Sequence, residues 1–183
     1  MNTFIQDTVK NFKKQKGKFN KVLEIGSWNV NGGVRQFFKD ADEYIGIDPM
    51  GGKGVDLKIS SYEIPNHFKK ENFDCILCLE TLEHDPYFEY TVQLMHDYLK
   101  QGGWLVISSP GLAQGIHNAP GDYYRFMPDV YQNIFFKGYE HLSMGVAFRP
   151  GHTPRGRGKD KNWDWTNIVT AIAYAQKPKK DNS

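Results

Sequence analysis

The sequence is poor in cysteine, with two in 183 residues, and has no apolar run of membrane-spanning length. Two thiols exclude a disulfide framework. The lack of a long apolar run predicts a chain that does not cross a membrane, and Met1 to Asp7 places its lysines after its apolar residues, unlike a signal peptide. The expected location is therefore the cytoplasm. Excess charge is also missing: a formal net charge of +2 makes no global field that recruits nucleic acid. The six histidines and nearby acids show no H-x-x-x-H spacing, so the sequence offers no metal-ligand set. Cys75 and Cys78 do form a C-x-x-C, but within the apolar stretch Phe73–Leu79. Residues three apart on a strand point to opposite faces, which makes this pair two buried hydrophobes and not a redox or zinc half-site.

Hydrophobic content of 39% and charged content of 24% suit an ordinary globule. The length predicts one domain over 1–183, with a basic N-terminal segment at 1–20 and two long loops at 110–126 and 149–166. The feature that organises the rest is Val22-Leu23-Glu24-Ile25-Gly26, an apolar burst ending in glycine. Polar residues 27–31 follow, then Gly32-Gly33, then apolar Val34, Phe37 and Phe38 at helical spacing. That pattern predicts strand, tight turn and helix. A second strand at 44–47 ends in Asp48, 22 residues beyond Gly26. In a βαβ unit an acid at that strand tip accepts hydrogen bonds from a ribose diol, while the glycine turn admits the ligand to the backbone.

A dinucleotide site wants G-x-G-x-x-G, because a pyrophosphate rests on bare amides at a helix start. Here Ser27, Trp28, Asn29, Val30 and Asn31 intervene before Gly32, a loop unsuited to a diphosphate and usable for an adenosine ligand without one. Glu24-Ile25-Gly26-Ser27 through Gly32, with Asp48, resembles motif I and the following acidic motif of class I S-adenosylmethionine-dependent methyltransferases. It departs from that family's common G-x-G at Trp28 and is similar to a subgroup that reads through Val-Asn-Gly.

The resemblance implies that Glu24 and the Gly26 loop, including Ser27 and Gly32, hold the methionine portion of S-adenosyl-L-methionine. It further implies that Asp48 binds the ribose, Met50 packs on adenine, and Asp56 or the Leu57 amide reads the adenine edge. Leu79 and Glu80 close the site at the end of the fourth strand. Each acid has a plainer reading: Glu24 as a polar strand residue, Asp48 as a turn cap before Pro49, Asp56 as a solvated loop acid.

Strands at Val22, Tyr44, Val55, Phe73, Trp104, His141 and Asn167 alternate with helices at 2–15, after Asp85-Pro86, and at 129–136. The expected fold is an α/β, mainly parallel, seven-stranded twisted sheet with helices on both faces and the last strand antiparallel. Such sheets bind ligands outside the carboxyl ends of their strands.

Methyl transfer needs an aligned acceptor and, for a hydroxyl, a base. His117 and His84 are the candidates, and Tyr123, Tyr124 and Arg125 either line the acceptor pocket or anchor the loop that covers it. His84 serves equally as a donor that stiffens the turn around it. The expected acceptor is a small molecule or carbohydrate, including one that bears phosphate. Two other functions compete: a cofactor-binding subunit without turnover that recruits nucleic acid or protein through Lys10–Lys21 and Arg149–Lys161, and an NAD-dependent oxidoreductase. The second lacks a glycine where Trp28 stands and a recognisable hydride site. Trp163 and Trp165 among cations would stack bases in the first.

Overall fold

The computed structural model describes residues 2–117, 121–150 and 165–179. Its first element, α1 (Thr3–Lys16), starts where the Asn2 side chain accepts a hydrogen bond from the Ile5 amide at 3.0 Å. Gly17, at φ 81°, ends it by donating its N–H to the Lys13 carbonyl. Ile5, Val9 and Phe12 form its buried face. Lys13 of the basic segment is buried and pairs with Asp40 at 2.8 Å. Lys16 lies 4.2 Å from the centre of the Trp104 ring.

The strands are β1 (Lys21–Ile25), β2 (Glu43–Ile47), β3 (Phe73–Leu79), β4 (Leu99–Pro110), β5 (Glu140–Phe148) and β6 (Ile168–Gln176). Among the described residues they form one sheet in the order β2-β1-β3-β4-β6-β5. The first four are parallel, and β6 runs antiparallel to both of its neighbours. The chain passes from β1 to β2 on one side and then to β3 on the other, so the strand order reverses at β1. A crevice at the carboxyl ends of β1, β2 and β3 follows from that reversal.

Both faces are covered. Cys75, Leu77 and Leu79 pack with α1 and Phe38, while Ile76 and Cys78 pack with Val92 and Met95 of α3 (Phe88–Tyr98) and with Tyr131 and Phe135. The two cysteines therefore occupy opposite layers, and both are free and buried.

The sheet has six strands, not the seven expected. Residues 55–59 make only an isolated bridge, Ile47 with Leu57, because side-chain chemistry takes over the β2 edge. The Gly46 N–H donates to the Asp56 carboxylate at 2.7 Å, and the Gly46 carbonyl accepts from both the Asp56 and Leu57 amides. No ladder can continue from those groups. Arg35 grips the same carboxylate with both terminal nitrogens, at 2.8 and 3.0 Å.

The helix expected after Gly33 is a single 3₁₀ turn, Arg35–Phe38, since the chain re-enters the sheet at Glu43. The segment 60–72 carries only a short turn and α2 (Ile64–His67). The helix expected after Asp85-Pro86 is α3, which begins at Phe88; Asp85 itself accepts from the Tyr87 amide at 2.8 Å and the Thr91 hydroxyl at 2.5 Å. Pro128 does open α4 (Pro128–Val130), which widens at once into a π turn over Tyr131–Phe135. That widening seats the fully buried Tyr131, whose hydroxyl meets Ser109 Oγ at 2.5 Å and donates to the Ala171 carbonyl at 3.2 Å.

Gly46 also sets how closely the edge strand meets the motif loop. A Cβ there would stand 2.4 Å from the Gly54 carbonyl and 2.6 Å from Ser27 Oγ. Gly46→Ala is expected to lower stability by about 1–3 kcal/mol through overpacking, read from the urea midpoint.

Candidate active site

The crevice is a cavity of about 520 Å³. β1 delivers Ile25, Gly26 and the loop through Trp28, Val30 and Gly32; β2 delivers Ile47, Asp48 and Met50. The end of β3 adds Leu79, Glu80 and Thr81, followed by His84, Asp85 and Pro86. Ile59 to Tyr62 and Thr91 make another side, and His117 reaches in from the loop after β4.

Three strand ends meet at Gly26. Its amide donates to the Ile47 carbonyl at 2.9 Å, as does that of Ser27 at 3.1 Å. Gly26 has φ 75°, and a Cβ on it would lie 2.0 Å from Thr81 Oγ1. No side chain fits there. Thr81 is held in turn by its bond to the Leu79 carbonyl at 3.0 Å. Gly32 donates to Asn29 Oδ1 at 2.8 Å, and the Asn29 amide donates to the Lys53 carbonyl at 2.8 Å. The loop that the sequence shows as bulky is thereby held on both sides.

Asp48 Oδ1 accepts from the Met50 amide at 2.8 Å. This turn leaves Oδ2 without a protein donor among the described residues. Glu80 stands at the end of β3 with φ 50°, and its Oε1 accepts from Ser108 Oγ at 3.1 Å and from Thr170 Oγ1 at 2.9 Å. Burial raises its carboxyl above the usual range, and the two hydroxyls oppose that.

His84 and His117 meet edge to face with ring centres 4.9 Å apart. Between them lies Glu83, fully buried, with both carboxylate oxygens lacking a hydrogen-bond partner. Burial pushes its carboxyl well above the ordinary value, and the Glu80 charge adds to that.

A family model described as a methyltransferase domain matches residues 1–143. The chain belongs to this methyltransferase family. No curated protein matches the sequence. Many solved structures share the fold. A SAM-dependent methyltransferase from Archaeoglobus fulgidus is 17% identical, with 94% of each chain covered and a TM-score of 0.63. The N-methyltransferase NodS from Bradyrhizobium japonicum, in complex with S-adenosyl-L-homocysteine, is 16% identical over 96% of this chain and 86% of its own, with a TM-score of 0.64. The 1,6-didemethyltoxoflavin-N1-methyltransferase of Burkholderia thailandensis is 13% identical over 94% and 78%, with a TM-score of 0.66. At these identities the likeness is one of fold.

In this methyltransferase the cavity takes in Gly26, Gly32, Asp48, Met50, Leu79, Glu80, His84 and His117 from the residues singled out in the sequence. Glu24, Ser27, Asp56 and Leu57 lie outside the cavity lining. Glu24 accepts from the Tyr44 hydroxyl at 2.7 Å. Ser27 is buried with no partner for its hydroxyl, and Asp56 is the clamp on Arg35 and Gly46. Tyr123, Tyr124 and Arg125 also lie outside the cavity lining. Arg125 binds Asp122 through both terminal nitrogens and the Gly115 carbonyl at 3.1 Å, and so braces the loop that carries His117. The guanidinium holds the Asp122 carboxyl well below its ordinary range. Tyr124 donates to the Pro86 carbonyl at 3.1 Å. Residues 118–120, and 151–164 of the expected second acceptor loop with its basic and aromatic stretch, lie outside the described residues.

Sequence reasoning missed Tyr62, Asp85 and Thr91, which make a polar corner: Tyr62 donates to Asp85, and Ser61 Oγ meets Thr91 Oγ1 at 2.7 Å. The Asp85-Pro86 pair was visible but signalled a helix start. Glu83 was missed too, being one acid in an unexceptional turn.

Burial raises the Glu24 carboxyl from 4.5 to about 7, and the Tyr44 hydrogen bond only partly opposes this. The folded chain thus binds a proton that the unfolded chain releases, so the contribution to stability is complete below pH 4.5 and is lost as pH rises through about 7. Glu24→Gln is expected to raise stability at pH 8 by about 1–3 kcal/mol and to leave it nearly unchanged at pH 4, measured by urea unfolding at both values.

Proposed function

We propose that this methyltransferase uses S-adenosyl-L-methionine to methylate a small-molecule hydroxyl. The observation that carries the reading is the placement of Asp48 and the Gly26 turn on one cavity with His84 and His117. An adenosine fits the first two: Gly26 offers bare backbone where a Cβ has no space, and Asp48 has an unused oxygen for a ribose diol. Ile47, Ile59 and Met50 supply apolar surface for a base, and the cavity volume falls in the usual range of ligand pockets, about 300–1,000 Å³. When bound, the cofactor supplies an electrophilic methyl on a sulfonium centre.

The chain's own residues do the rest. The Gly26 loop and Asp48 orient the nucleoside, and Trp28 and Tyr62 line the same cavity. His84 and His117 form the end where a nucleophile gives up its proton. A neutral amine needs no base to attack a methyl group, whereas a hydroxyl does. Two imidazoles around a buried carboxylate therefore favour an oxygen acceptor, even though most of the structural neighbours with a stated activity are described as N-methyltransferases.

Calorimetry against S-adenosylhomocysteine and, separately, NAD tests the cofactor. The first is expected to bind and the second not, and Asp48→Ala should weaken the first by about 1–3 kcal/mol. Unchanged affinity in that variant would remove Asp48 from the site. With a panel of hydroxyl and amine acceptors, His117→Ala is expected to slow turnover by about a hundredfold without changing S-adenosylhomocysteine affinity. Transfer to amines alone would move the reading to a nitrogen acceptor.

A further inference from the structure

We propose that Glu83, His84 and His117 bind one divalent transition-metal ion of the zinc class, at the end of the cavity assigned to the acceptor. The donor atoms of the three residues all lie within 4.8 Å of one another. His84 Nε2 is 3.6 Å and His117 Nε2 is 3.8 Å from Glu83 Oε1. These gaps are too long for hydrogen bonds. They are close to the roughly 3.4 Å edge of a tetrahedron whose metal–ligand bonds are about 2.1 Å.

Glu83 gives an independent reason to place a cation there. It has no exposed surface, and neither carboxylate oxygen has a partner. A buried carboxyl group in that condition is costly. The nearest guanidinium cannot relieve it, since Arg125 is engaged with Asp122. A cation between the two imidazoles supplies the missing charge and the missing contacts together.

The imidazoles are turned for the task. His84 Nδ1 bonds to the Gly121 carbonyl, and His117 Nδ1 lies 3.3 Å from the Gly115 carbonyl. Donation from Nδ1 in each ring leaves the lone pair on Nε2, facing Glu83. Backbone carbonyls commonly orient metal-binding histidines in this way. Two nitrogens and one carboxylate oxygen suit zinc and its first-row neighbours, whereas magnesium and calcium prefer oxygen shells.

Three protein ligands leave a position open, and both histidines line the cavity. This deepens the hydroxyl reading and rests on it for the use of the cation, though not for its binding. With both Nε2 lone pairs on the cation, the histidines act on the acceptor proton through the metal and not as free bases: an acceptor hydroxyl on the open position loses its proton to solvent at lower pH than a free one. Its oxygen then forms a bond to the methyl carbon as the sulfonium–methyl bond breaks, and that electron pair stays on sulfur.

The test titrates Co²⁺, then Zn²⁺ as competitor, into the full chain after chelator treatment, following visible absorption and heat. One equivalent of Co²⁺ displaced by Zn²⁺ is the expected result. His117→Ala should weaken binding by more than about a hundredfold, because loss of even an outer partner of a ligand costs 10- to 100-fold. Glu83→Gln provides a second variant, and S-adenosylhomocysteine calorimetry on each reports that the cavity is intact. Failure to bind Co²⁺ near stoichiometry overturns the proposal, as does binding that survives both substitutions. Co²⁺ binding by a chain that ignores S-adenosylhomocysteine would sustain the metal site and defeat the cofactor reading.

Discussion

The approach of Gly26 to Thr81, with no space for a Cβ between them, is the constraint on which the site depends. It brings the end of β1 against the end of β3, while the paired amides of Gly26 and Ser27 on the Ile47 carbonyl tie β1 to β2. Two parallel neighbours are thereby fixed at the level where the strand order reverses. The cavity, the aim of Asp48 and the position of His84 all follow from that meeting point. A residue with a side chain at 26 would separate the strand ends as well as meet a ligand.

Much of this could be read in the sequence because backbone demands leave marks that side-chain partnerships do not. The run from Val22 to Gly26, and Asp48 at the tip of the next strand, carried the βαβ unit in plain periodicity. Three of the strands read after it, β3, β5 and β6, start within a residue of their expected positions, with β4 beginning earlier, at Leu99. The error at 55–59 came from chemistry without periodicity. An aspartate that caps the Gly46 amide and holds Arg35 resembles any loop acid until the fold brings position 35 beside position 56. Likewise, Glu83 and His84 lie far in sequence from His117, so a short-spacing search passes over the group they form.

The loop after β4 shows why aromatic and charged residues near a mouth are ambiguous in sequence. Tyr124 and Arg125 spend their polar groups on Pro86, Gly115 and Asp122, which stiffens the loop and turns His117 inward. The fully buried carboxylate beneath them shows the opposite economy: the fold encloses Glu83 but leaves its oxygens unmatched, the kind of expense that globular chains keep for working sites.

The bond from Thr170 to Glu80 has a consequence for the order in which the protein is made. β6 leaves the ribosome after the other five described strands, yet it lies between β4 and β5, and it brings the hydroxyl that steadies Glu80. Until it arrives, β4 presents an open edge and the floor of the cavity lacks a donor. The β1–β3 half can pair as it emerges, because its contacts are already in hand. The open edge of β4 and the carboxylate of Glu80 are therefore satisfied by one event, the entry of β6 between β4 and β5.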